Sequence, residues 1–154
     1  MRDGGVAVVI VLAMASSACI GPFSEDLESH YPDVAAARRQ GAFERGWLPD
    51  IVPEDATDIW EMHNLDTNIT WACFGIPQGP GGLRTLLDKR GAQRVSGPIS
   101  DGPPALFGAR KWWPRSMARA EIEAYRLRED ARFRLLVGLD ATAGRACFYR
   151  TGNS

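Results

Sequence analysis

The chain has 154 residues, 45% of them hydrophobic and 24% charged, with a formal net charge of −1. That composition excludes a disordered chain, which could not bury enough apolar surface to offset its ordering entropy. It also lacks the basic field of a general nucleic-acid binder, so no nucleic-acid partner is expected.

Arg2 precedes an apolar run from Val6 to Ala15, and Ser16-Ser17-Ala18-Cys19 follows it. A charge, a greasy stretch and a small-residue exit make a secretory signal. The run ends well short of the roughly 20 apolar residues that span a bilayer. Residues 1–18 are therefore expected to be a signal peptide, outside the fold. Ser16-Ser17-Ala18-Cys19 resembles the lipobox of bacterial lipoproteins, with Ser16 where Leu is usual. That resemblance implies cleavage before Cys19, a lipid on its thiol and a membrane as partner. The expected place is the outer side of the cytoplasmic membrane or the outer membrane. Small residues at Ser16 and Ala18 also suit ordinary signal peptidase, which would leave the protein periplasmic or secreted.

Residues 19–30 read as a tether and 31–154 as a single α+β domain, a mainly antiparallel sheet with two or three short helices. A helix is expected to open at Pro32 and Asp33, with Val34 and Ala37 on its inner stripe and Gly46 at its end. Pro49 and Pro53 hold the next stretch extended. Thr57 to His63 and Asn68 to Gly75 alternate as strands, placing Ile69, Trp71 and Cys73 on one face. Leu83, Leu86 and Leu87 share a stripe on a short helix ending at Gly91. Glycine and proline make residues 95–104 an irregular loop. Residues 105–113 read as a strand stopped by Pro114, and 118–127 fits helix or strand equally. Phe133 to Leu139 and Arg145 to Thr151 flank a turn and read as a hairpin.

Charge divides along the chain. From Cys19 to Pro80 there are eleven carboxylates and three Lys or Arg, and from Gly81 onward fourteen Lys or Arg and seven carboxylates. In a compact domain such blocks meet as solvated pairs across neighbouring strands.

With Cys19 lipidated, Cys73 and Cys147 remain, each in an apolar strand. In an exported chain they are candidates for a disulfide; two buried thiols acting as small hydrophobes are the other reading.

Gly46-Trp47-Leu48-Pro49, Pro53, Ala56, Ile59, His63, Asp66-Thr67-Asn68 and Phe74, with the later Trp112-Trp113-Pro114, resemble the signature of a family of small exported bacterial proteins. The family is identified as YbbD head-domain-like. The resemblance carries no reaction, ligand or catalytic residue, and Cys73 and Cys147 depart from the family pattern. Each residue from Gly46 to Phe74 has a folding duty that explains its type without a substrate.

Candidates for chemistry are few. His30 and His63 stand at no metal-ligand spacing, so neither metal nor cofactor is expected. His63 with Cys73 would make a base and a thiol, although nothing in the sequence lowers the thiol pKa. Asp58, Glu61 and Asp66 near Trp60 form the densest acidic set, the kind of group a glycosidase uses, with a solvated acidic face as the ordinary alternative. Asp66-Thr67-Asn68 lacks the glycine and glutamate of a calcium loop and reads as an Asx-turn. Trp112 and Trp113, on opposite faces of a strand, would leave one ring for a glycan or an envelope protein, with both rings packed over the core or its rim as the more ordinary reading. The sequence thus favours a membrane-tethered, non-catalytic binding or structural module, with a small hydrolase of wall or glycan as the alternative.

Overall fold

The computed structural model describes residues 25–104 and 110–152. The signal segment, Cys19 and residues 105–109 of the expected third strand lie outside those ranges. Strands β1 (Asp26–Asp33), β2 (Thr57–Asn64), β3 (Thr70–Gly75), β4 (Gln93–Val95), β5 (Glu123–Arg128), β6 (Phe133–Asp140) and β7 (Arg145–Gly152) form one sheet. Their spatial order is β1-β2-β3-β7-β6-β5-β4, and every pairing is antiparallel. Helices α1 (Val34–Arg39) and α2 (Gly81–Lys89) and a 3-10 turn at Arg115–Ala118 complete the regular structure. Among the described residues no helix is long and apolar enough to cross a membrane.

Side chains alternate across the sheet, so each strand serves two faces. On the first, Tyr31, Ile59, Phe74, Phe148, Val137 and Leu135 pack under Val34 and Ala37 of α1, Leu48 to Val52, and Leu83 and Leu87 of α2. On the second, Trp71, Cys73 and Cys147 lie beneath Ile99, Trp113 and Met117. The cover sits close on that side because β6 carries Gly138, where a Cβ would meet Met117 Sδ at 2.6 Å. A larger residue there would push the 3-10 turn off the sheet.

The expected α+β class is overturned: one seven-stranded sheet with two short helices makes this a mainly-β fold. Two local causes account for the difference. The first helix has only six residues, because Asp33 is its N-cap, accepting from Ala36 N at 2.7 Å, and the chain turns off after Arg39. Pro32, expected inside that helix, instead lies in β1, on the strand that borders only β2. An edge strand is where a proline's missing N–H can be tolerated. Meanwhile the ambiguous segment 118–127 leaves the end of the 3-10 turn, passes through a turn and becomes β5, whose Tyr125 and Leu127 face the first core.

Other differences are smaller. Strand β1 begins at Asp26, inside the stretch expected to be tether, and β4 occupies Gln93 to Val95. Residues 110–113, expected in a strand, form a turn. Gly46 ends a run of turns rather than a helix, and its φ of +74° is the left-handed conformation that glycine adopts without strain.

Candidate functional site

Two polar clusters that begin on β2 lie on opposite faces of the sheet. On the first face Glu61 is fully buried, and its Oε2 lies 2.9 Å from Nδ1 of His63, two residues along on the same side. The Tyr31 hydroxyl donates to Glu61 at 3.5 Å. Trp47 stacks over the imidazole at 4.1 Å, and the Arg45 guanidinium lies over the Trp47 ring. Arg150 secures the same loop, donating to the Gly46 carbonyl while its fork binds both Glu129 oxygens at 2.6 and 2.7 Å. Burial pushes the Glu61 carboxyl above its ordinary range, against the opposing hydrogen bond from His63. Sealed beneath Trp47, this pair offers a substrate no approach.

The second cluster is open. Strand β2 bulges between Thr57 and Trp60, where Asp58 takes a φ of +47°. Bulges re-aim side chains, and a non-glycine residue at positive φ is strained. The outcome is a carboxylate with three partners. His30 Nε2 lies 2.9 Å from Asp58 Oδ1, Trp60 Nε1 donates to the same oxygen at 3.0 Å, and Arg145 donates to Oδ2 at 2.6 Å. Although burial raises the Asp58 pKa, hydrogen bonds from Arg145, His30 and Trp60 outweigh it and hold the carboxyl below its usual value.

Ring contacts extend the cluster. His30 and Trp60 face each other across the β1–β2 ladder and stack at 4.0 Å. Trp112 lies nearly parallel to Trp60, centroids 6.3 Å apart, and meets Trp113 edge-on at 6.1 Å. The Trp112 N–H donates to Glu28 at 3.1 Å, and Arg110 pairs with the same carboxylate at 3.1 Å. His30 is exposed, Trp60 and Trp112 are half-buried, and Trp113 is 7% exposed. The structure thus separates the two adjacent tryptophans by depth rather than by strand face: Trp113 joins the second core and Trp112 the open row.

The remaining sequence candidates divide between the faces. Cys73 and Cys147 are directly paired residues of β3 and β7 and form a disulfide. That removes the thiol from any pairing with His63, which lies on the opposite face. Asp58, Glu61 and Asp66 do not converge, since Asp58 is on the open row, Glu61 is buried beneath Trp47 and Asp66 is in the β2–β3 turn. That turn is organised by Asn64, whose Oδ1 accepts from Asp66 N, Thr67 N and Thr67 Oγ1, rather than by Asp66 or Asn68. Among the described residues no group of three or more His, Cys, Asp or Glu is placed to hold a metal ion.

An open depression of about 940 Å³ lies at the far end, lined by Ser116, Arg119, Glu123, Asp140 and Thr142 among others. Hydrogen bonding from Arg84 holds Glu123 below its usual range, and hydrogen bonding from Ser116 does the same for Asp140. A glycosidase's general acid needs the opposite shift.

Sequence reasoning weighed His30 only as a metal ligand and missed its junction with Trp60 and Trp112. The alternation of β2 put Trp60 opposite Ile59, but only the β1–β2 register and the turn at Trp112 bring the three rings together. No curated protein and no solved structure matches the chain. Residues 25–75, spanning β1 through β3 with the Trp47 loop, Glu61, His63, His30, Asp58 and Trp60, match the family model described as the YbbD head domain.

Proposed function

We propose that this protein is a binding module of the bacterial cell envelope, exported behind residues 1–18 and anchored through a lipid on Cys19. The observation that carries this reading is the Cys73–Cys147 bridge inside the sheet. Structural disulfides persist in oxidising compartments and are rare in the cytosol, in keeping with the signal-like N-terminus. The YbbD head-domain match over residues 25–75 supports the same setting, because the signature through which the chain resembles that family came with exported proteins. The module recognises its partner through the open row on the second face, without chemistry of its own: the row's carboxylates, Asp58 and Glu28, are held by arginines and indoles, and Cys73 and Cys147 are bonded to each other.

Mass spectrometry of the mature protein from native membranes is expected to find Cys19 as an acylated N-terminus. Cys19→Ser is expected to move the protein out of the membrane fraction. Recovery of a chain with Met1 intact in the cytosol, with Cys73 and Cys147 reduced, would overturn the proposal.

A further inference from the structure

We infer that the end of the sheet where the chain enters β1 docks on the bilayer that holds the Cys19 lipid, with Leu27 and Leu65 set into its headgroup boundary. The inference rests on the lipid anchor proposed above and adds a membrane-contact surface on the folded domain. Among the described residues, the large hydrophobic side chains left exposed are Leu27 and Leu65, at 44% and 54%. Exposed leucines taken singly are ordinary, but these two share one place. The Leu65 N–H donates to the Glu25 carbonyl at 3.0 Å and Leu27 follows Glu25 by two residues, so both flank the entry of the chain into the sheet. The surface continues inward from Leu27. That residue lies opposite His63 in the β1–β2 ladder, and the half-buried Trp47 ring stacks on His63 with the Arg45 guanidinium over it. Leucine, an indole and a flanking arginine are the residue types that settle at a membrane–water interface.

Chain length says what covers this end. Five residues, Ile20 to Ser24, separate Cys19 from Glu25. The six steps from Cys19 to Glu25 span at most roughly 20 Å, whereas a strand the length of β2, eight residues, runs about 26 Å. The domain therefore cannot move away from an inserted lipid by its own length. Once the acyl chains are in place, contact with the bilayer is an intramolecular event, so two half-exposed leucines have only a small entropic cost to offset. Charge does not set the contact. Glu25 and Asp66 stand beside the leucines, and Arg128 and Arg132 stand at the β5–β6 turn, which the strand registers place at the same end; all four are exposed. With both signs on the rim, burial of apolar surface is what the bilayer offers.

The test uses the mature, acylated, disulfide-bonded protein in vesicles of phosphatidylethanolamine and phosphatidylglycerol. A benzophenone amino acid replaces Asp66, exposed in the turn beside Leu65, or Thr142, exposed in the β6–β7 turn at the opposite end of the sheet. Mass spectrometry after illumination measures lipid adducts, which are expected at position 66 and not at 142. Because the short connection by itself brings position 66 near the surface, the deciding comparison adds Leu27→Asp with Leu65→Asp, expected to cut the adducts at 66 roughly tenfold. Both leucines are exposed; should the double variant still lose its fold, Leu65→Asp alone is expected to cut them about threefold. Adducts undiminished in a folded variant, equal labelling at 66 and 142, or a second copy of the chain captured at 66 in place of lipid would overturn the inference. The same spectra read the state of Cys19. An acylated chain whose labelling ignores the leucines loses the docking and keeps the anchor, whereas an unacylated Cys19 removes the anchor and the docking with it.

Discussion

Glu61 and His63 show what a single residue type costs when a sheet face closes over it. A carboxyl taken out of water favours its protonated form, and in the fold burial outweighs the help of His63, so the Glu61 pKa rises above its ordinary 4.5. A raised carboxyl contributes stability that is fully present below its unfolded pKa and is lost as pH climbs through the folded value. Asp58, Glu123 and Asp140 run the other way, with lowered values whose stabilisation is lost as pH falls. The contribution of Glu61 must therefore be isolated by difference. Urea unfolding of the native protein and of Glu61→Gln, from about pH 4 to pH 8, is expected to show the variant gaining relative to the native protein as pH rises above the ordinary carboxyl range. A constant difference across that range would mean that Glu61 is not destabilised by burial. Trp47 was legible in the sequence as a ring with somewhere to pack, since Pro49 holds the neighbouring chain extended. Its actual partner, the imidazole of His63, was not. Stacking at 4.1 Å across sixteen positions depends on the path of the whole loop over the sheet.

At the scale of elements, the central and C-terminal strands were readable and the outer ones were not. Strands β2, β3, β6 and β7 carry strong alternation or apolar runs because each lies between two other strands and packs against the first core. Strand β1 is polar at most positions and buries Tyr31 alone, so its sequence resembles a linker until β2 supplies a hydrogen-bonding edge. Strand β5 alternates clearly only from Ala124, where the 3-10 turn has already set its direction. The disulfide sits between these extremes. Both cysteines were visible in strand-like stretches, yet choosing between a bond and two packed thiols required the β3–β7 register, a pairing of residues 74 positions apart. That separation sets the expected effect. In the loop-entropy account, closing a loop of this length stabilises the fold by about 4.5 kcal/mol, and Cys73→Ala with Cys147→Ala should lose a large part of it. The measurement is the urea midpoint of the double variant against the native protein, with and without reductant. Reductant should lower the native midpoint toward that of the variant and leave the variant unchanged; equal midpoints without reductant would show that the bridge adds nothing to stability.

Taken whole, the molecule joins an acidic half to a basic half, as the charge split suggested, but the joining is not the simple cross-strand pairing expected. Asp58 meets Arg145, Glu28 meets Arg110 and Asp50 meets Arg90, each an acidic-half carboxylate with a basic-half guanidinium. None of these is a directly opposed pair on neighbouring strands, and the partly exposed ones contribute little stability individually. What binds the halves is the β3–β7 ladder. It runs from Thr70 opposite Arg150 to Gly75 opposite Arg145, with the disulfide in its middle. This bears on the stretch similar to the YbbD head domain, which ends at Gly75 and thus supplies β1 to β3 without the strand that β3 leans on. Cut there, the piece would expose the inner edge of β3. It would also uncover Phe74 and Trp71, which the full chain packs among Phe148, Val137, Trp113 and Met117. A three-stranded remnant with one short helix has little core left, and domains of that size are marginal even when well packed. A fragment of residues 25–75 is therefore expected to lack the near-ultraviolet circular dichroism and dispersed indole N–H resonances of fixed tryptophans, and to show no cooperative melt. The mature chain should unfold in one transition. A fragment that melts cooperatively with a native-like tryptophan spectrum would show that the first three strands are a folding unit of their own, and that β7 is an addition to it rather than its missing half.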